Sequence, residues 1–137
     1  MSAMLCIASG KAIAVAAGVF TLGWTHSVEG IEWRERWAVT DAGLVLQEAR
    51  VKGSGAGMEP GDDARREDGW WVWQPHMQPI TQLVLAASGA TVSGWTICDT
   101  GGCRELGRRP GEPIVLRGCS DGEMPAGDGA MTSARRW

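Results

Sequence analysis

The chain of 137 residues contains no tyrosine and a single phenylalanine, although it has eight tryptophans. Tryptophan must therefore supply nearly all of the aromatic core. Apolar side chains at helical spacing are also missing, which argues against amphipathic helices. Twenty glycines mark many turns instead, and turns at short intervals favour short strands.

Long apolar runs and an excess of basic charge are absent as well. The apolar stretch over residues 12–24 has 13 residues, fewer than the about 20 that a transmembrane helix needs. It passes straight into a patterned strand, so we interpret it as two strands rather than a signal peptide or a membrane span. The location, cytoplasm or cell envelope, stays open. The net charge of -3 provides no basic surface for phosphates, and nucleic acid is not expected as a partner.

Cysteine is scarce, because four cysteines in 137 residues are too few for a disulfide-rich scaffold. Cys98 and Cys103 flank a hairpin loop, which would place them opposite each other on two strands. Reduced, buried thiols are the first expectation for them and a disulfide the second. A metal site comes third, because this lone pair lacks the four ligands of structural zinc. No cofactor is expected.

Short apolar runs alternate with glycine-containing turns, a pattern typical of an all-β antiparallel sandwich or barrel. We predict one β domain of about 8–10 short strands over residues 1–119. Residues 120–137 carry no apolar pattern, so we predict a disordered tail there. Residues 53–69 form a long polar connection that also lacks an apolar pattern. The predicted strands are residues 4–8, 12–16, 19–26, 32–39, 44–52, 70–74, 82–87, 92–98, 103–106 and 114–118.

Two neighbouring predicted strands carry ionisable side chains on their apolar sides. Alternation places His26 on the side of Trp24 in the first strand, and Glu35 between Trp33 and Trp37 in the second. Pairing these strands puts His26 opposite Trp33 and Trp24 opposite Glu35. His26 and Glu35 would then be diagonal neighbours on one face.

This pair supports two interpretations. A carboxylate beside a histidine holds the orientation of the ring, an arrangement common in acid–base and binding sites. Alternatively, His26 bonds to loop backbone at the rim of the sheet, and Glu35 pairs with an arginine such as Arg50. Ser27 points to the other face by alternation, so a Ser-His-Glu triad is not supported.

Three tryptophans follow the polar connection. Alternation sends Trp71 and Trp73 to one face of their strand and Trp70 to the other. One face packs in the core, and the remaining aromatic surface is available to cap the sheet or to contact a ligand or partner.

The segments WTHSVEGIEWRERW and EARVKGSGAGMEP resemble the bacterial family called domain of unknown function 1850. The family pattern is an aromatic-Thr-His-Ser-Val strand end, a glutamate in the next strand and a Gly-Ala-Gly corner. These positions correspond here to residues 24–28, Glu35 and residues 55–57. The resemblance implies a small β-rich domain, often encoded beside permeases of tripartite ATP-independent periplasmic (TRAP) transporters. It implies no known reaction, cofactor or ligand.

We therefore predict an accessory or small-ligand-binding domain, linked by resemblance to TRAP-type transport, with no catalytic or metal-binding residue assigned. We expect either a small carboxylate as the ligand or a transporter permease as the partner. The alternatives are a small enzyme, in which His26 is the general base and Glu35 orients it, and a purely structural interaction module. The predicted ligand-binding residues are Trp24, His26, Ser27, Glu35, Gly55, Ala56 and Gly57.

Overall fold

The computed structural model describes residues 4–9, 12–25, 31–52, 63–87, 94–119 and 132–135, with the backbone alone described for 12–17 and 132–135. Only strands, turns and irregular segments occur in these residues, so the all-β prediction is confirmed. The described part of the chain contains no helix long and apolar enough to cross a membrane. The strands are β1 (Met4–Ser9), β2 (Ala12–Ala17), β3 (Val19–Thr25), β4 (Glu32–Thr40), β5 (Gly43–Lys52), β6 (Arg65–Glu67), β7 (Trp70–Trp73), β8 (Gln82–Leu85), β9 (Trp95–Asp99), β10 (Gly102–Leu106), β11 (Ile114–Cys119) and β12 (Thr132–Arg135).

The strands form two sheets that pack against each other. The smaller sheet has the order β12-β8-β11-β1-β2, and the larger one has the order β10-β9-β3-β4-β5-β7-β6. All neighbours are antiparallel except β12 and β8. The sheets approach closely where β11 crosses β4, because a Cβ atom added to Gly118 would lie only 2.8 Å from Val39 Cγ1.

Each of the predicted strands is present, with ends that differ by a few residues. The structure adds β6, which lies within the predicted polar connection. The sequence does not predict this strand, because its three residues are all exposed and form no apolar pattern. It also adds β12, which lies within the tail that was predicted to be disordered. Residues 132–135 form a strand there instead. The domain boundary between residues 119 and 120 stays a prediction.

A tight hairpin joins β4 to β5. Gly43 has a φ of 123°, and a Cβ atom at this position would lie 2.5 Å from the carbonyl oxygen of Ile80. The next residue, Leu44, donates a backbone hydrogen bond of 2.7 Å to that same oxygen. Glycine is required here both by its backbone conformation and by this close approach. The contact ties β5 of the larger sheet to the segment that leads into β8 of the smaller one.

A β-bulge in β5 keeps the apolar side chains of this strand on one face. Arg36 pairs with Glu48, but the next residue, Trp37, pairs with Leu46, so Gln47 is the additional residue. Buried positions accordingly fall at 44 and 46 before the bulge and at 49 and 51 after it. Without this correction, the second half of β5 would turn its apolar residues to solvent.

The core lies between the two sheets and draws on both. Its cluster of buried hydrophobic side chains includes two tryptophans and a phenylalanine that are almost completely inaccessible, in agreement with the scarcity of other aromatic residues. The fully buried larger side chains are Trp37, Trp95, Phe20, Leu5, Ile7, Leu22, Leu44, Leu83, Leu85, Ile97, Ile114 and Leu116.

The first expectation for the cysteines, reduced thiols, is wrong, because all four are disulfide-bonded. Cys98 and Cys103 face each other across β9 and β10, with their Cα atoms 4.0 Å apart. The second disulfide joins Cys6 to Cys119. Sequence spacing does not indicate this pair, because it forms only when the fold brings β1 beside β11.

Candidate functional site

The larger sheet has two chemically different faces around β4. We call the side turned to the core the inner face; here β4 contributes Trp33, Glu35 and Trp37. The opposite side, the outer face, carries Arg34 and Arg36, which are both exposed. Strict alternation along the strand produces this division, as the sequence predicts.

Glu35 is the one charged side chain that is buried among the described residues, with 4% of its surface exposed. The indole N–H of Trp37 donates a hydrogen bond of 3.0 Å to Glu35 Oε1. Its cross-strand neighbours are Leu22 on β3 and Ala49 on β5, both buried and apolar. An acidic group is therefore held within an apolar and aromatic part of the sheet.

The predicted pairing of β3 with β4 is wrong by two residues. Trp24 lies opposite Trp33, and Leu22 rather than Trp24 lies opposite Glu35. A shift of two residues keeps every side chain on its predicted face, so alternation cannot distinguish the two registers. The observed register stacks the two indole rings, whose centroids are 5.9 Å apart and whose planes differ by 5°. Trp24 remains a diagonal neighbour of Glu35.

A row of tryptophans crosses the inner face beside Glu35. The Trp24 ring also contacts Trp95 on β9, at a centroid distance of 5.2 Å. The Trp33 ring meets the edge of Trp73 on β7 at 6.2 Å. The four indoles thus extend from β9 to β7. Trp71 also lies on this face, opposite Val51, and its buried indole N–H has no hydrogen-bond acceptor among the described residues.

The alternative in which Glu35 pairs with Arg50 is wrong. Arg50 lies on the outer face and forms an ion pair of 2.7 Å with Glu48. Register explains this outcome, because Arg50 is the cross-strand partner of Arg34. Both arginines therefore lie on the side of the sheet opposite to Glu35.

The structure brings Trp24 and Glu35 together, but the other predicted site residues lie outside the described residues. These are His26, Ser27 and the corner Gly55, Ala56 and Gly57. Whether His26 contacts Glu35 stays a prediction, and so does the general-base role of His26. Within the described ranges, no group of three or more His, Cys, Asp or Glu side chains is arranged to hold a metal ion.

The outer face holds a feature that the sequence analysis missed. Trp70 is surrounded by three cations, with Arg34, Lys52 and Arg50 at 5.0, 5.4 and 5.9 Å from its ring centroid. Alternation does send Trp70 to this face. Only the pairing of β7 beside β5 shows that the cations of β4 and β5 gather around it.

A family model matches the chain from β3 to β10. The family model described as "Domain of unknown function (DUF1850)" matches residues 20–106, a segment that extends from β3 to the end of β10 and includes Trp24 and Glu35. Neither the curated proteins nor the solved structures give a match. Because the model covers more than half of the chain, the protein belongs to the family of the domain of unknown function DUF1850.

Proposed function

We propose that this protein is an accessory domain that binds a small ligand on the inner face of the larger sheet, at Glu35. The observation that carries the proposal is the burial of this carboxylate among tryptophans. Burying an ionised carboxylate costs several kcal/mol unless polar partners compensate for it. A buried acid on an aromatic face is therefore a good candidate for a functional group.

The chemistry around Glu35 favours a ligand that carries a positive charge. The carboxylate attracts an ammonium group, and the π faces of tryptophan rings also attract cations. Trp24 and Trp33 lie one position along the face, so they are suited to contact the apolar part of such a ligand. A small carboxylate, the ligand expected from the sequence, would be repelled by Glu35. We therefore assign a small organic ammonium compound to this face.

Trp71 supplies a second observation on the same face. A buried donor without an acceptor costs about 1–3 kcal/mol, and the indole N–H of Trp71 is such a donor within the described residues. Because β5 lies between Glu35 and Trp71, a ligand that extends across this strand and carries a hydrogen-bond acceptor at its far end would satisfy it. Both groups together fit a small polar amine better than a simple hydrocarbon.

Titration with butylammonium chloride, followed by calorimetry, tests the site against sodium chloride at equal ionic strength. In Glu35→Gln the size of the side chain and an acceptor for Trp37 are kept, while the charge is lost. We expect binding to weaken by about tenfold or more, since a hydrogen bond to a charged group contributes about 1.5–3 kcal/mol.

The matched control is Glu67→Gln, which removes an exposed carboxylate from β6 of the same sheet. Its affinity for butylammonium should equal that of the wild type. Equal weakening in both variants would show a general effect of charge, and unchanged binding in Glu35→Gln would overturn the assignment. His26→Ala tests the predicted neighbour, because unchanged binding in that variant removes His26 from the site.

We further propose that the domain functions in the cell envelope beside a TRAP-type transporter. The resemblance supports the link to transport, and the two disulfides support an oxidising compartment, where such bonds persist. Labelling of the protein in intact cells with a thiol reagent should occur only after reduction. Immediate labelling of all four cysteines would contradict the location, and failure to co-purify with a TRAP-type permease would contradict the partner.

A further inference from the structure

A groove of about 210 Å³ beside the outer-face arginines is lined by Thr21, Arg34, Glu35, Arg36, Glu48 and Arg50. The Glu35 carboxylate itself accepts a hydrogen bond from Trp37 on the inner face. Three arginines share the groove with two acids, Glu48 and the buried Glu35. Such a composition points to an anionic ligand.

Two of these arginines are partly neutralised. Arg34 donates from both Nε and Nη2 to Glu32 Oε2, at 3.0 and 2.8 Å. Arg50 donates in the same way to Glu48 Oε2, at 3.2 and 2.7 Å. In each case, Nη1 takes no part in these bonds and retains its donors for another acceptor.

The third arginine, Arg36, forms no ion pair with any described residue. Its Nε donates to the neutral Oε1 of Gln47 at 3.2 Å. Glu48 lies directly opposite Arg36 in the sheet, but its carboxylate is bound by Arg50. Both Nη atoms of Arg36 therefore lack a carboxylate partner, although the side chain lies beside two other cations.

The placement of the arginines costs stability that an anion would recover. Arg34 and Arg50 are direct cross-strand partners, and like charges in this position are destabilising. Trp70 holds both guanidinium groups, at 5.0 and 5.9 Å from its ring centroid, through cation–π attraction. The indole thus keeps the two arginines at the groove instead of letting them move apart into solvent.

We propose that this groove binds a small carboxylate, with Arg36 as its principal ligand. A planar guanidinium group pairs with the two oxygens of a carboxylate in a bidentate manner. Glu32 and Glu48 form ion pairs with two of the three arginines, which leaves the guanidinium group of Arg36 without a carboxylate partner among the described residues. A singly charged carboxylate group matches this one guanidinium group better than a doubly charged phosphate, which Glu48 would repel more strongly.

Titration of the ¹⁵N-labelled protein with sodium acetate, sodium phosphate and sodium chloride, at equal ionic strength, tests this proposal. Acetate should shift the Arg36 Nε–H signal and the backbone signals around Thr21 in a saturable manner, and chloride should not. Stronger binding of phosphate than of acetate would overturn the assignment to a carboxylate. Equal shifts with all three salts would overturn the site as a whole.

Substitutions then test the role of Arg36. In Arg36→Gln, the affinity for acetate should fall by about tenfold, because a charge-assisted pair is lost. Arg36→Lys keeps the charge without the fork and should give an intermediate affinity; wild-type affinity in this variant would contradict bidentate binding. Arg104→Gln, which removes an exposed arginine of β10, is the matched control and should bind as the wild type does. Because Glu35 faces the other side, failure here leaves the ammonium site unaffected.

Discussion

The two faces of β4 treat charge in opposite ways. On the inner face, one carboxylate is buried between tryptophans, and on the outer face, arginines one residue away are exposed to solvent. The backbone conformation is the same for both sets, so the difference comes from what packs on each side. A buried charge destabilises the fold unless polar partners compensate for it, whereas a charge in solvent costs little free energy. Glu35 and Arg36 are thus adjacent in the chain but belong to separate candidate sites.

This contrast implies that stability resides on the inner face and that the outer face can vary with little cost. The inner side chains of β3 and β4 contribute to the hydrophobic cluster between the sheets. The outer ion pair Arg34–Glu32 is half exposed on both partners, and such pairs contribute little. Substitutions matched across the two faces therefore separate these roles.

The two disulfides provide the largest expected difference. Cys6–Cys119 joins residues 113 positions apart within the smaller sheet, whereas Cys98–Cys103 spans 5 positions on the outer side of the larger sheet. Loop-closure entropy gives a stabilisation of about 5 kcal/mol for the long loop and about 2 kcal/mol for the short one. Urea unfolding of the two double serine variants measures this difference, and equal losses would contradict the entropic account.

Tryptophan substitutions test the two faces directly. Trp37→Ala removes a fully buried ring and the hydrogen-bond donor to Glu35, so we expect a loss of about 3–5 kcal/mol in the free energy of unfolding. Trp70→Ala, on the outer face, should cost about 1–2 kcal/mol, because the ring is only partly buried and its cation–π contacts are exposed. Similar losses for both variants would break the distinction between the faces.

The hairpin at Gly43 sets the register of β4 and β5. A comparison of two glycines with similar backbone conformations tests which contacts fix this hairpin. Gly43 has a φ of 123° and Gly102 has a φ of 131°, but only Gly43 has a neighbour within contact distance, the backbone of Ile80. Gly102→Ala should cost about 1 kcal/mol from backbone strain alone, and Gly43→Ala about 2–3 kcal/mol or more. Thermal unfolding of both variants gives the comparison, and equal costs would remove any role for the Ile80 contact.

The smallest effect is expected for the outer ion pair of Glu32. Glu32→Gln should change the free energy of unfolding by less than about 1 kcal/mol, because both partners are exposed. The remaining difference should disappear at about 1 M salt, where charges are strongly screened. A larger loss that persists in high salt would show that the outer charges are structural.

The sequence predicts the strands and their faces well, because both depend on local alternation. Glu35 is correctly predicted to lie on the side of Trp33 and Trp37. The register of β3 on β4 could not be predicted in this way, since shifts of two residues preserve the faces. The stacking of Trp24 on Trp33, which favours the observed pairing, becomes visible only in three dimensions.

Features that depend on non-local pairing were also beyond the sequence. The Cys6–Cys119 disulfide requires that β1 and β11 be neighbours, and the cluster around Trp70 requires β7 beside β5. The sequence does indicate the bulge at Gln47, because the alternation of apolar residues changes phase between Leu46 and Ala49. The sequence does not indicate strand β6, since its side chains are all exposed.

The central claim, that the inner face binds an ammonium ligand at Glu35, is tested most directly by the tryptophan indole signals in ¹⁵N NMR spectra. During titration with butylammonium chloride, the Nε1–H signal of Trp37, which is bonded to Glu35, should shift in a saturable manner. The signal of Trp70 on the outer face should not move. A stationary Trp37 signal, or shifts confined to Trp70, would contradict the account.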